Sequence, residues 1–323
     1  MSLPKVFLTR RLPNAVMKRL DVESELLLPA DLDAGATREE LLDAVTKVDG
    51  LICLLSDRID EGVFRAGSGL KVVSNYAVGY NNIDVALASK HGVVVTNTPD
   101  VLTACTADMA MSLLLATARR VVEGDELVRQ GDWQGWGPMQ LLGTEVTGAT
   151  IGFVGFGRIA QATMRRAAAF DMRCLYWNRT RLSEADERSL NVTYVPLDQL
   201  LPQCDFVSVH VALCDETKHL INRERLQSMK PSAILINTAR GAVVDEAALV
   251  EALQAGWIGG AGLDVYEQEP AIHPGLPALK QTVLAPHLGS ATMQTRTKMG
   301  ELAVENCLAV CRGQQPPNPV NGS

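Results

Sequence analysis

Ile151-Gly152-Phe153-Val154-Gly155-Phe156-Gly157-Arg158-Ile159-Ala160 decides the fold. An apolar run suited to a buried strand enters a GxGxxA loop, and a helical pattern follows. The first glycine, Gly155, permits a tight turn. The second, Gly157, lets backbone approach a pyrophosphate seated on the helix N-terminus, and Ala160 keeps the helix close to its strand. Such a loop alone also suits an ordinary turn. The strand before it, the helix after it and the βα units that follow together point to dinucleotide binding.

Working outward, strands are predicted at Thr150–Val154, Arg173–Trp177, Phe206–Val209, Ala233–Asn237, Gly259–Leu263 and Thr282–Leu284, and a last helix at Thr292–Arg312. Upstream, Val6–Leu8, Gly50–Leu55, Val72–Asn75 and Val93–Thr96 read as buried strands, with a helix from Thr37 to Val48 that opens on a Thr37/Glu40 capping box. Alternation of this kind implies parallel sheets covered by helices: the α/β class, two Rossmann-like or flavodoxin-like domains. Thr103–Arg120 reads as a long apolar helix, and a second helical stretch runs to Gln130. Gly131–Gly148 mixes Gly, Trp and Pro as an arm or loop, and the Pro- and Gly-rich tail Gln314–Ser323 is expected to be loosely held.

The second strand ends Tyr176-Trp177-Asn178-Arg179-Thr180-Arg181, with no acid. An acid there would hold the ribose hydroxyls of NAD and repel a 2′-phosphate, whereas Arg179 can pair with one. The residues therefore favour NADPH, with NADH still possible; solvated loop charges are the plain alternative.

Three later strand ends carry chemistry. Ile236-Asn237-Thr238-Ala239-Arg240-Gly241 ends one, Gly262-Leu263-Asp264-Val265 with Glu269-Pro270 ends the next, and Ala285-Pro286-His287-Leu288-Gly289-Ser290 follows the last. Hydride transfer to a 2-keto acid needs a fork-shaped cation for the carboxylate, which suits Arg240. It needs a proton for the developing alkoxide, which suits His287, and a carboxylate to orient and charge that imidazole, which suits Glu269. Singly, each reads as a surface charge, a loop acid or a turn residue. Complementary types at one sheet edge make a site. Of the remaining histidines, His91 sits at a helix end, His210 ends a strand beside the cofactor crevice, and His219 and His273 lie in polar loops.

Charge excludes other classes. The formal net charge is −7 with no dense basic block, against a nucleic-acid surface. No run of about 18 apolar residues offers a membrane span. The seven cysteines are odd in number and form no CxxC pair, which reads as reduced thiols in a cytoplasmic protein. Cys307 and Cys311 have no neighbouring ligand to complete a metal set, so no metal is expected.

These motifs, in this order from about Lys5 to Gly313, resemble the D-isomer-specific 2-hydroxyacid dehydrogenase family, and within it the glyoxylate/hydroxypyruvate reductases. Cys53–Asp57, Val78-Gly79-Tyr80 and Pro99–Thr103 add to the likeness. The resemblance implies a dinucleotide domain over residues 101–287, inserted into a discontinuous substrate domain of residues 1–100 plus 288–323. It implies a homodimer through the helix and arm of residues 103–148. It makes Arg240, Glu269 and His287 catalytic, and gives the substrate Val78, Gly79, Arg240, His287, Ser290 and a partner's-pocket role for Trp136. It gives the cofactor Gly155, Gly157, Arg158, Ile159, Asn178, Arg179, Thr180, His210, Ala212, Thr217, Thr238, Asp264, His287 and Gly289. Ala212 departs from the Pro of many relatives, and the missing acid after Trp177 departs from the NAD-using majority.

Other readings stay open on the same fold. Formate dehydrogenases carry Gln where Glu269 stands, and phosphoglycerate dehydrogenases often add regulatory sequence. A 2-ketogluconate reductase differs in pocket size, which sequence does not display. A dinucleotide-sensing corepressor keeps the same trio, but usually with long extensions.

Overall fold

A strand covered on both faces must be apolar on both, and the short Val/Ile/Leu runs meet that demand. In the computed structural model, which describes residues 2–321, they form two sheets. The first contains β1 (Lys5–Leu8), β2 (Glu25–Leu27), β3 (Gly50–Cys53), β4 (Val72–Asn75) and β5 (Val94–Thr96), in the order β2-β1-β3-β4-β5. The second contains β6 (Thr150–Val154), β7 (Arg173–Trp177), β8 (Thr193–Tyr194), β9 (Phe206–Val209), β10 (Ile234–Asn237), β11 (Gly260–Leu263) and β12 (Thr282–Leu284), in the order β12-β11-β10-β9-β6-β7-β8. Adjacent strands pair in parallel throughout both sheets. The chain divides into two units, Met1–Leu102 with Ala291–Ser323, and Thr103–Ser290.

In the first unit, Phe7, Leu51, Val73 and Val95 from the sheet meet Leu41, Val63 and Phe64 from its helices. The helix Met293–Cys311 also belongs here and buries Met299, Ala303, Val304 and Leu308. Thr292 caps it, its side chain accepting the Thr295 N–H at 3.2 Å. In the second unit the strand order reverses between β6 and β9. Their carboxyl ends therefore flank a crevice, the usual ligand position in such sheets. The helix Thr103–Ala118 buries Ala107, Ala110, Leu113 and Leu114 inside this unit.

Several expectations are corrected. β2 and β8 are added: they are only three and two residues long and no more than half-buried, too short to stand out as buried runs. β3 stops at Cys53 instead of Leu55, because the Leu54 N–H turns to Asp57 Oδ2 at 2.8 Å. The capping box forms, yet its helix is only Arg38–Ala44. The long helix ends at Ala118 instead of Arg120, which is left-handed at φ 50°, while the expected second helical stretch forms as Val121–Arg129. The tail is not loose. The Val320 N–H bonds Val95 O at 2.7 Å, and Asn321 Oδ1 accepts the Val95 N–H at 2.6 Å, so the tail lines the edge of β5. Gly322 and Ser323, at its end, lie outside the described residues.

Candidate active site

β6 delivers its chain into Gly155, whose φ is +89° and whose N–H bonds Trp177 O at 2.8 Å. A Cβ on Gly155 would stand 2.7–2.9 Å from Val211 and the His210 backbone, so the close approach as well as the angle demands glycine. Gly157 is the N-cap of the helix Arg158–Ala168. It offers no side-chain cap, and the space where its Cβ would point is open. The first N–H groups of that helix are thus presented as an anion cradle. Ala160 is fully buried beneath, against the strand. Thr238, at the end of β10, has a buried hydroxyl with no hydrogen-bond partner among the described residues. Open cradle and unpartnered hydroxyl both fit a dinucleotide.

The neighbouring residues divide in function. Asn178 spends its side chain within the protein: Oδ1 accepts the Phe156 N–H at 3.3 Å and Nδ2 donates to Thr180 O at 2.9 Å. Arg181 is held by Glu187 at 2.7 and 2.8 Å and lies over the Tyr194 ring. Arg179 is left exposed at the strand end. His210 is half-buried beside Ser208 Oγ, 2.8 Å away, and burial pushes its pKa down to about 3. Thr217 Oγ1 bonds the Ala212 carbonyl at 2.7 Å, closing the loop after β9.

The trio occupies three successive strand ends of the second unit. After β10, Asn237 organises the turn, accepting the Ala239 N–H and donating to Arg240 O, both at 3.0 Å. Burial lowers the pKa of Arg240, with the Glu269 charge opposing. Next comes Gly241, where a Cβ would lie 1.8 Å from the Tyr266 carbonyl carbon. Two loops therefore touch backbone to backbone, and the second carries Glu269. Tyr266 braces it, its N–H donating to Glu269 Oε1 and its hydroxyl to Ala285 O, both at 3.0 Å.

His287 Nδ1 and Glu269 Oε2 are 2.8 Å apart. Burial would raise the Glu269 pKa, but the His287 hydrogen bond and charge, the Tyr266 N–H and Arg240 together hold it below its ordinary value. His287 has a left-handed backbone, φ 56°. Asp264 secures that turn: its carbonyl accepts the His287 N–H at 2.9 Å, and its carboxylate accepts the N–H groups of Leu288 at 2.6 Å and Gly289 at 2.7 Å. Burial still raises the Asp264 pKa, against those bonds and the His287 charge.

Val78 and Gly79 lie in the first unit, in the loop after β4, and Ser290 is half-buried past His287. Trp136 stands on the arm, 84% exposed. The sequence reading missed Tyr266, Gly241 and the asparagines around Val78 and Gly79. A Gly directly after Arg240 was the available signal for one of them. Among the described residues no group of three or more His, Cys, Asp or Glu is arranged for a metal, and no helix is long and apolar enough to cross a membrane.

This arrangement has close counterparts. A family model described as D-isomer specific 2-hydroxyacid dehydrogenase, NAD binding domain, matches residues 111–289. The glyoxylate reductase of Thermococcus onnurineus is 53% identical over 98% of this chain and 96% of its own. That of Pyrococcus furiosus is 52% identical over 98% and 95%. A crystal structure from Thermus thermophilus superposes with a TM-score of 0.91 at 47% identity, covering 98% of this chain and all of that one. The NADPH-dependent glyoxylate/hydroxypyruvate reductase of Sinorhizobium meliloti, solved with NADP and malonate, gives 0.87 at 35% identity, covering 99% and 97%. Similarity at this level runs through both units, and a nicotinamide dinucleotide is the cofactor such a cradle takes. The chain belongs to the D-isomer specific 2-hydroxyacid dehydrogenase family.

Proposed function

We propose that the chain is an NADPH-preferring reductase of small 2-keto acids, glyoxylate and hydroxypyruvate, giving D-2-hydroxy acids. The observation that carries this is the 2.8 Å His287–Glu269 pair within reach of the Arg240 charge. Arg240 binds the substrate carboxylate, and Val78 and Gly79 are assigned carboxylate-binding N–H groups. With Nδ1 committed to Glu269, His287 has Nε2 to donate a proton to the carbonyl oxygen, and Glu269 stabilises the imidazolium. The bound cofactor supplies the hydride. Gly155, Gly157, Arg158, Ile159 and Thr238 hold it, with His210, Ala212, Thr217, Asp264 and Gly289 along the same crevice. Ser290 borders the substrate.

NADPH preference is supported by the absence of an acid after Trp177 and by the division between the two arginines. Arg181 is committed to Glu187, which leaves Arg179, with Thr180, to meet a 2′-phosphate. The Sinorhizobium reductase is NADPH-dependent by its own description. A homodimer is supported by apolar side chains left exposed along the second helix and arm, among them Val121, Val128, Trp133, Trp136, Met139 and Leu142. On this reading Trp136 enters a partner copy. The seven free cysteines suit the cytoplasm.

The test is a matrix of NADPH and NADH against glyoxylate, hydroxypyruvate, pyruvate and 2-ketogluconate. Highest kcat/KM with NADPH and the two small keto acids is expected. Better efficiency with NADH overturns the cofactor preference, and no oxidation in any pairing overturns the enzyme.

A further inference from the structure

The loop that follows β4 has its carbonyls held one after another. Ala77 O accepts the Thr98 N–H at 2.9 Å. Val78 O accepts Asn97 Nδ2 at 2.8 Å, and Gly79 O accepts Asn75 Nδ2 at 2.8 Å. A trans peptide points its N–H opposite to its C=O. Fixing these three carbonyls therefore fixes the N–H groups of Val78, Gly79 and Tyr80 in the opposite sense. Among the described residues none of the three donates to a backbone or side-chain acceptor. Consecutive N–H groups of this kind make an anion-binding concavity.

The side chains that set the loop are themselves fixed. Asn75 ends β4 with no exposed surface. Asn82 faces it at 3.4 Å and donates to Leu54 O and Asp57 O, each at 3.1 Å. Asp57 in turn accepts the Leu54 N–H. The Asn97 carbonyl accepts Asn306 Nδ2 at 3.1 Å. Every link is an uncharged carboxamide or backbone bond, apart from Asp57. A carboxylate at position 75 or 97 would have no proton to donate and would repel both the carbonyl and an arriving anion.

We propose that Asn75 and Asn97, braced by Asn82, are positioning residues that aim the Val78, Gly79 and Tyr80 N–H groups at the carboxylate of the 2-keto acid and thereby set affinity for that class. The proposal rests on the substrate reading above. It extends that reading to Tyr80 and to three side chains that need not touch substrate.

The test uses Asn75→Asp and the less buried Asn97→Ser in the full chain. Measured are KM and kcat for glyoxylate, NADPH affinity by fluorescence, melting temperature, and calorimetric binding of oxalate to the NADPH-loaded protein. A lost hydrogen bond at each position predicts about tenfold weaker oxalate binding and higher KM, with kcat within about twofold and NADPH affinity unchanged. Wild-type oxalate affinity in either folded variant overturns the proposal. So does a matching loss of NADPH affinity, which marks general damage; and if Asn75→Asp does not fold, Asn97→Ser decides. Arg240→Ala, run alongside, separates the two levels. Unchanged oxalate binding there refutes the substrate reading itself, whereas weakened binding there beside unchanged Asn75 and Asn97 variants refutes only the positioning role.

Discussion

Replacing Gly241 by alanine adds one methyl group at the closest backbone contact of the site. Its Cβ would stand 1.8 Å from the Tyr266 carbonyl carbon, 2.0 Å from its oxygen and 2.3 Å from the Glu267 nitrogen. Ordinary contact begins at 3.4 Å, so the loops must part by about 1.6 Å, taking the difference between 3.4 and 1.8 Å. No flexible side chain is there to yield, since all three atoms are backbone. Glu269 lies on the displaced loop and reaches His287 at 2.8 Å. A shift of that size along the bond carries the pair beyond hydrogen-bond range. Misplacement by about 1 Å commonly costs about 100-fold in rate, so kcat should fall by about 10- to 100-fold. Overpacking should cost about 1–3 kcal/mol of stability. The assay is steady-state kcat across pH, with NADPH affinity and melting temperature measured on the same samples. A folded Gly241→Ala protein with wild-type kcat and pH–rate profile would refute the claim that this contact sets the Glu269–His287 distance.

Other changes test separate parts. His287→Ala should lower kcat by about 100-fold or more while NADPH still binds; retained turnover removes the acid role. Arg240→Ala should chiefly raise KM for glyoxylate, and an unaltered KM would give the carboxylate to another group. Glu269→Gln keeps the shape but not the charge that faces the His287 ring at 2.8 Å, so kcat should fall while NADPH still binds; an unchanged kcat breaks the pairing. Glu187 concerns stability. The Arg181 hydrogen bond, then that of Tyr176, lowers its pKa from 4.5 to about 2. Its contribution is therefore full above about pH 4.5 and fades as pH falls towards 2. Urea melts should show Glu187→Gln less stable at neutral pH, with the gap narrowing in acid; a gap independent of pH would contradict the ionic origin.

Several features were legible in the chain by itself because they are local. Apolar runs of four or five residues alternating with helical pattern specify parallel α/β units. The GxGxxA loop at Gly155 specifies a strand, a turn and an open helix end, since each glycine's need arises within a few residues of it. Arg240, Glu269 and His287 each follow the carboxyl end of a strand, and a parallel sheet places those ends along one edge. Weak signals failed where the pattern was short, as in β2 and β8, and where a long-range bond overrode composition, as in the tail along β5.

Tertiary structure alone decided which polar groups meet. Asn178 follows β7 in sequence, and only the fold shows its amide bonded to the Phe156 N–H and the Thr180 carbonyl. Arg179 and Arg181 are alike in sequence, and only the fold puts Glu187 against the second. Gly241 meets Tyr266, and Asn97 meets Val78, across separations that no periodicity encodes. Hydrogen bonds and van der Waals contacts act over about 3–4 Å, whereas sequence pattern specifies only the element a residue occupies. The residue types of the proposed keto acid site belong to the sequence; the spacing and orientation that bring His287 to Glu269 belong to the packing of loops at the sheet edge.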